Sequence, residues 1–158
     1  MTTKNITTVA MIAAIYVLLT YLFAPLSFNY IQFRISEVLT VLPFFTRLAI
    51  PGLFIGTIIS NLLSPAGIYD VVFGSLATLL AAYLTSLTKN RFLAPLPPVI
   101  VNAVIIGVLL GFIGGLQVGI PWLMLYVGFG ELGVCYLLGL PFIFLLERYQ
   151  HVLPWEKK

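Results

Sequence analysis

Three carboxylates and one guanidinium stand out in a chain of 158 residues in which only 8% are charged. Arg34 and Glu37 lie three residues apart at the entry to an apolar segment, Asp70 opens another, and Glu131 lies inside a third. Such groups are costly within or beside a bilayer unless they are paired, protonated or used on a ligand. Their chemistry is recognition of a polar, hydrogen-bonding molecule: carboxylates accept N–H donors or meet a cation, and Arg34 donates to carbonyls or ring nitrogens. Gln32, Asn61 and Gln117 add amides, and Tyr30, Phe33, Trp122 and Tyr126 add flat aromatic surface. Trp and Tyr also gather at membrane interfaces for anchoring alone, so this belt has two readings.

The background is an integral membrane protein. Hydrophobic residues make up 61% of the chain and mean hydropathy is +1.10, well beyond an ordinary soluble domain. The net charge of +3 does not indicate nucleic acid, because the basic residues are scattered at segment ends and form no basic face. Cys135 stands alone in an apolar run, so neither a disulfide framework nor metal-ligand spacing is present, and it reads as a small hydrophobe. The single histidine, His151, lies in the polar tail. No G-x-x-x-x-G-K loop and no Ser, His and Asp set within the apolar segments can be found, which disfavours an ATPase or another enzyme.

Apolar stretches and their breakers predict an all-α bundle of six transmembrane helices in a single domain, residues 1–158, with spans at about 5–23, 36–45, 50–62, 69–87, 99–113 and 122–146. The first stretch is too long for a signal-peptide core and reads as a retained span. The second and third are short, as expected of helices that are tilted, partly buried or facing a cavity. Six spans place both termini on one side. With that side cytoplasmic, every Lys and Arg except Arg34 falls inside, in line with the positive-inside rule. The polar residues of the first loop, the end of the third span, the start of the fourth and the last outer loop then converge toward the outer face. Glu131 lies about 14 Å below Trp122 at 1.5 Å per residue, and is expected to pair with Arg34, to bond a neighbouring helix or to meet a ligand. Gly128, Gly130, Gly133 and Gly139 open space around it, and Asn102 reads as a helix-to-helix hydrogen bond. In the first span Ala10 and Ala14 make a small-residue face on which another helix can pack.

The stretches Ile31-Gln32-Phe33-Arg34-Ile35-Ser36-Glu37, Leu42-Pro43, Ile50-Pro51-Gly52-Leu53-Phe54-Ile55-Gly56, Asn61-Leu62-Leu63-Ser64-Pro65 and Asp70-Val71-Val72-Phe73-Gly74-Ser75-Leu76-Ala77-Thr78 together resemble the queuosine-precursor (QueT-type) S components of energy-coupling factor (ECF) transporters. The resemblance spans nearly the whole chain. It implies a membrane-embedded substrate-binding subunit of an ABC importer in the bacterial cytoplasmic membrane, with no cofactor of its own. Its partners would be a transmembrane coupling subunit (EcfT-like), docked on Ala10 and Ala14, and two cytoplasmic ATPases. Its ligand would be a 7-deazaguanine such as the 7-aminomethyl form, held by residues drawn from Tyr30, Gln32, Phe33, Arg34, Glu37, Asn61, Asp70, Gln117, Trp122, Tyr126 and Glu131. The alternatives are an S component for another small vitamin, or a stand-alone proton-coupled carrier or channel using Glu131 and Asp70.

Overall fold

The computed structural model describes residues 2–28, 32–113 and 118–149. Helix α1, Thr3–Leu22, is opened by Thr2, whose side chain accepts from the Asn5 amide, and passes through Phe23 into the single turn α2, Ala24–Ser27, with Pro25 in its first turn. Next come α3 at Ile35–Phe44, α4 at Ala49–Asn61, α5 at Asp70–Leu87, α6 at Leu96–Ile113 and α7 at Ile120–Tyr149. Among the described residues no strand occurs, and α1, α5, α6 and α7 are long and apolar enough to cross a membrane, while α3 and α4 are shorter apolar helices. Side chains such as Phe112, 80% exposed, and Leu137, 75% exposed, give the body an apolar exterior suited to lipid.

Helix α3 is wound as a 3-10 helix throughout its ten residues, Pro43 included. Such runs are uncommon, and the tighter winding advances about 2.0 Å per residue, so a short sequence reaches about 20 Å through the bundle. It also stacks every third residue, which lines Arg34, Glu37 and Thr40 along one edge. Helix α3 packs against α1, α4, α5 and α7 and is the buried axis of the molecule. Leu39 and Leu42 join Ile12 and Tyr16 of α1, Leu53 of α4 and Ala82 of α5 in the main apolar core.

Glycines set how closely the outer helices approach. A Cβ on Gly52 would lie 2.9 Å from the Ile12 Cβ, and one on Gly56 3.0 Å from the Tyr16 Cβ. The small residue that faces α4 is Ala13, which is buried, whereas Ala10 and Ala14 are exposed on α1. Between α6 and α7 the fit is tighter still: a Cβ on Gly107 would meet the Met124 Cα at 2.6 Å. Because that neighbour is backbone, the helices themselves must separate. Gly107→Ala is expected to destabilise the protein by about 1–3 kcal/mol, read as a lower unfolding temperature in detergent. Gly119→Ala, whose new Cβ would meet Pro121 at an ordinary 3.7 Å, is expected to leave it unchanged.

Candidate functional site

Two π-helical turns interrupt otherwise regular helices, at Asp70–Gly74 where α5 begins and at Gly133–Leu138 within α7. π turns recur at functional sites because the wider turn re-aims side chains. The first delivers Asp70 inward, where it is buried against the end of α4. Gly74 makes this possible, since a Cβ there would collide with the Asp70 Oδ1 and come within 2.7 Å of the Asn61 Nδ2.

The loop before α3 brings the cation. Gln32 adopts a left-handed backbone, φ 48°, and its carbonyl accepts from the Arg34 amide at 2.8 Å. A non-glycine residue held in this region marks a locally constrained segment. The turn directs the Arg34 side chain into the protein, where it donates to the Asn61 Oδ1 at 2.6 Å, lies 3.8 Å from Asp70 and 3.9 Å from Glu37, and sits 5.5 Å from the centre of the Phe28 ring. Asn61 in turn donates to the Asp70 carbonyl at 2.8 Å. Arg34, Glu37, Asn61 and Asp70, four of the residues expected from the sequence, thus form one network.

Glu37 is fully buried. Tyr16 of α1 donates to its Oε1 at 2.5 Å, while its Oε2 has no hydrogen-bond partner among the described residues. Thr20 and Ser36 share a hydrogen bond at 2.7 Å beside this pair, fastening α1 to α3 again. Across the bundle, Asn102 of α6 donates to the Glu131 Oε1 at 3.0 Å, the interhelical bond expected for it, and the Cys135 thiol approaches Oε2 at 3.6 Å. Glu131 therefore bonds a neighbouring helix. Among the described residues the buried charged side chains are Arg34, Glu37, Asp70 and Glu131, one guanidinium among three carboxyl groups.

Above the network lies a cavity of about 380 Å³, within the range of small-molecule sites. It is bounded by Phe28 and Gln32 before α3, by Ser64, Pro65 and Ala66 after α4, by Asp70, and by Ile106, Leu109, Leu110 and Ile113 of α6. A larger groove, about 470 Å³ between α5 and α6, is lined by residues such as Phe73, Val104 and Phe112. It lacks the convergent polar groups that would select a ligand.

The other expected positions divide. Phe33 is half-buried and its ring fills the space beside Gly133, while Gly139 and Gly128 admit Val41 and Ala103, so these glycines serve neighbouring helices. Trp122, 60% exposed, and Tyr126, 43% exposed, lie on the outer face of α7, apart from the cavity and the Arg34 network. Tyr30 and Gln117 lie outside the described residues. Sequence reasoning passed over Tyr16, and also over Ser60, Ser75 and Thr78. The spacing of Thr57, Ser60 and Asn61 along α4, and of Ser75 and Thr78 along α5, is the helical signal that could have drawn attention to the hydroxyls.

Long apolar helices enclosing a charged interior, with a cavity over it at one end, define a multi-pass membrane protein. The chain belongs to the QueT transporter family, whose model matches residues 6–148. A curated relative, the queuosine precursor transporter QueT of Lactococcus lactis subsp. cremoris (strain MG1363), is 41% identical over 92 residues, which cover 57% of this chain and 54% of that protein. The match thus spans about half the length of the relative. No solved structure matches the chain.

Proposed function

We propose that this protein is the substrate-binding S component of an ECF-type ABC importer and that it captures a queuosine precursor, a 7-deazaguanine such as the 7-aminomethyl form, from outside the bacterial cytoplasmic membrane. The observation that carries this reading is the cavity whose floor meets Asp70 and, beneath it, a buried cluster with more carboxyl groups than cations. Family membership and the name of the lactococcal relative point to the same substrate class. A guanine-like edge presents N–H donors to the free Glu37 oxygen, and a cationic aminomethyl group offsets the surplus carboxyl charge near Asp70. Arg34 and Asn61 hold these acceptors in place. Glu131, fixed by Asn102, lies deeper and closes the site.

In this reading the chain is a single domain in which α1, α3, α4, α5, α6 and α7 all cross the membrane, with both termini cytoplasmic. The opposite character of the two ends supports that orientation. The cavity lies at the start of α5, whereas beyond its far end Arg91 pairs with Glu147 at 3.0 Å and packs on Phe92 and Phe144, beside Lys89. ATP hydrolysis belongs to partner ATPases reached through a coupling subunit, and the exposed Ala10 and Ala14 provide a flat strip for its docking.

The test is uptake of 7-aminomethyl-7-deazaguanine by cells that express the chain with a coupling subunit and two ATPases. Uptake should require all the components. The double variant Ala10→Leu and Ala14→Leu is expected to cut uptake at least tenfold while the purified chain still binds ligand. Equal transport by the chain alone in ATP-free liposomes would overturn the assignment in favour of a carrier.

A further inference from the structure

Hydroxyl side chains in apolar helices ordinarily bond the carbonyl one turn back, and this protein follows the habit at Thr20, Ser27 and Thr57, which donate to Tyr16, Phe23 and Leu53 at 2.9, 3.0 and 2.8 Å. Ser75 and Thr78 of α5 depart from it. Each is 1% exposed, yet neither Oγ has a hydrogen-bond partner among the described residues. Ser75 directly follows the π turn that places Asp70, so its register is set by the same distortion.

Helical geometry fixes where these hydroxyls face. Ser75, Thr78 and Ala82 share a wedge of roughly 60° on α5 at 100° per residue. Ala82 packs with Leu39 and Leu42 of α3, whereas the other buried face of α5, Ala77 and Ala81, packs against Val101 and Ile106 of α6. The hydroxyl face therefore lies toward α3 and α4, of which α3 carries Glu37 and its unpartnered Oε2. Two donors on α5 and one acceptor on α3, all buried and unpartnered among the described residues, thus lie on helices that pack together, with the two hydroxyls within about 12 Å of the cavity floor at Asp70 along α5, at 1.5 Å per residue.

We propose that Ser75 and Thr78 are specificity-determining ligand contacts, donating to the carbonyl or ring-nitrogen edge of a planar heterocycle while Glu37 accepts from the adjacent N–H groups. This rests on the substrate class proposed above and adds a face of the site that neither the cavity outline nor the charged network includes. Recognition by hydroxyls with no partner in the protein has a distinctive consequence. Removing them weakens binding without loosening the ligand-free fold, because a buried polar atom without a partner opposes folding.

The experiment is titration of the purified full chain in detergent with 7-aminomethyl-7-deazaguanine, alongside thermal unfolding without ligand. Ser75→Ala and Thr78→Val are each expected to weaken binding about tenfold and to leave the ligand-free unfolding temperature unchanged or higher. Thr78→Ser, which keeps the hydroxyl, should restore affinity. Ser86→Ala serves as the control, since Ser86 bonds the Tyr83 carbonyl at 2.7 Å near the other end of α5, and its affinity should match wild type. Affinities within twofold of wild type in both variants, or ligand-free unfolding several degrees lower, would overturn the proposal and make the hydroxyls structural. Wild-type protein that is folded but binds no deazaguanine would overturn the substrate assignment and this inference together, which separates the two failures.

Discussion

Glu37→Gln is expected to weaken deazaguanine binding by at least 100-fold, the largest loss of any single carboxylate. Its side chain is held at one oxygen by Tyr16, and the other oxygen, with the Asn102 amide of α6 near the carboxyl, has no hydrogen-bond partner among the described residues. A glutamine of the same shape must place an NH2 group toward either Tyr16 or the ligand. Toward the ligand, a donor confronts a donor. Toward Tyr16, the hydroxyl loses its acceptor and the clamp between α1 and α3 opens. The negative charge disappears in both cases, and a charge-assisted bond in a buried site contributes about 1.5–3 kcal/mol, about ten- to more than 100-fold in affinity. Lost donor and acceptor matching puts the expected effect at the upper end. Glu131→Gln should cost less, about tenfold, because the Glu131 carboxyl already bonds Asn102 and Cys135 and an amide can keep one of these contacts. Radioligand competition on the purified variants measures both, and equal losses would show that the ligand reaches Glu131 directly.

Arg34→Met carries the second large effect, this time on stability. Methionine fills much of the apolar volume of the arginine stem but leaves Glu37 and Asp70 buried without their cation and the Asn61 Oδ1 without its donor. Removing one partner from a buried charge network typically costs about 3–5 kcal/mol, because the remaining charges stay desolvated. The unfolding temperature in detergent should fall by many degrees. Adding Asp70→Asn in the same chain should recover part of the fall by removing one uncompensated carboxylate. Arg34→Lys should rank between wild type and Arg34→Met, since an ammonium restores charge but cannot reproduce the planar fork that reaches Asn61 and both carboxylates. An Arg34→Met protein as stable as wild type would show that the network is solvated and that Arg34 is dispensable to the fold.

Much of this arrangement was legible in the sequence, for physical reasons that differ from residue to residue. Charge is so scarce in an apolar chain that Arg34, Glu37, Asp70 and Glu131 mark themselves, and three of them do share one network. Breakers such as Ser64-Pro65 and Pro97-Pro98 bracket the helices to within a few residues. That Asn102 bonds a neighbouring helix was legible, because an amide inside a span must find a partner there, whereas the identity of that partner, Glu131, was not. Winding was not legible. Nothing local in Ile35–Phe44 demands a 3-10 helix, and the π turn at Asp70–Gly74 lets its own Asp70 and, from the end of α4, Asn61 pack over Gly74. Tyr16 was invisible for a similar reason: a tyrosine in an apolar helix reads as anchoring until Glu37 is seen beneath its hydroxyl. The hydroxyls of Ser75 and Thr78 carry only the weak signal of their helical spacing, because most such groups bond their own helix. Ala10 and Ala14 show how a small-residue face has two outlets. Ala13 and the glycines of α4 took the internal one, and Ala10 and Ala14 remain on the exterior.

The central claim is that a cation-bearing heterocycle completes a buried cluster with surplus carboxyl groups, and calorimetric titration of the purified chain with two ligands tests it most directly. The 7-aminomethyl and 7-cyano forms of 7-deazaguanine share the ring and differ in the charge of the substituent. The aminomethyl form should bind stoichiometrically, and the neutral cyano form at least tenfold more weakly, about 1.4 kcal/mol. Folded protein that binds neither ligand, or binds the two equally, would contradict the claim.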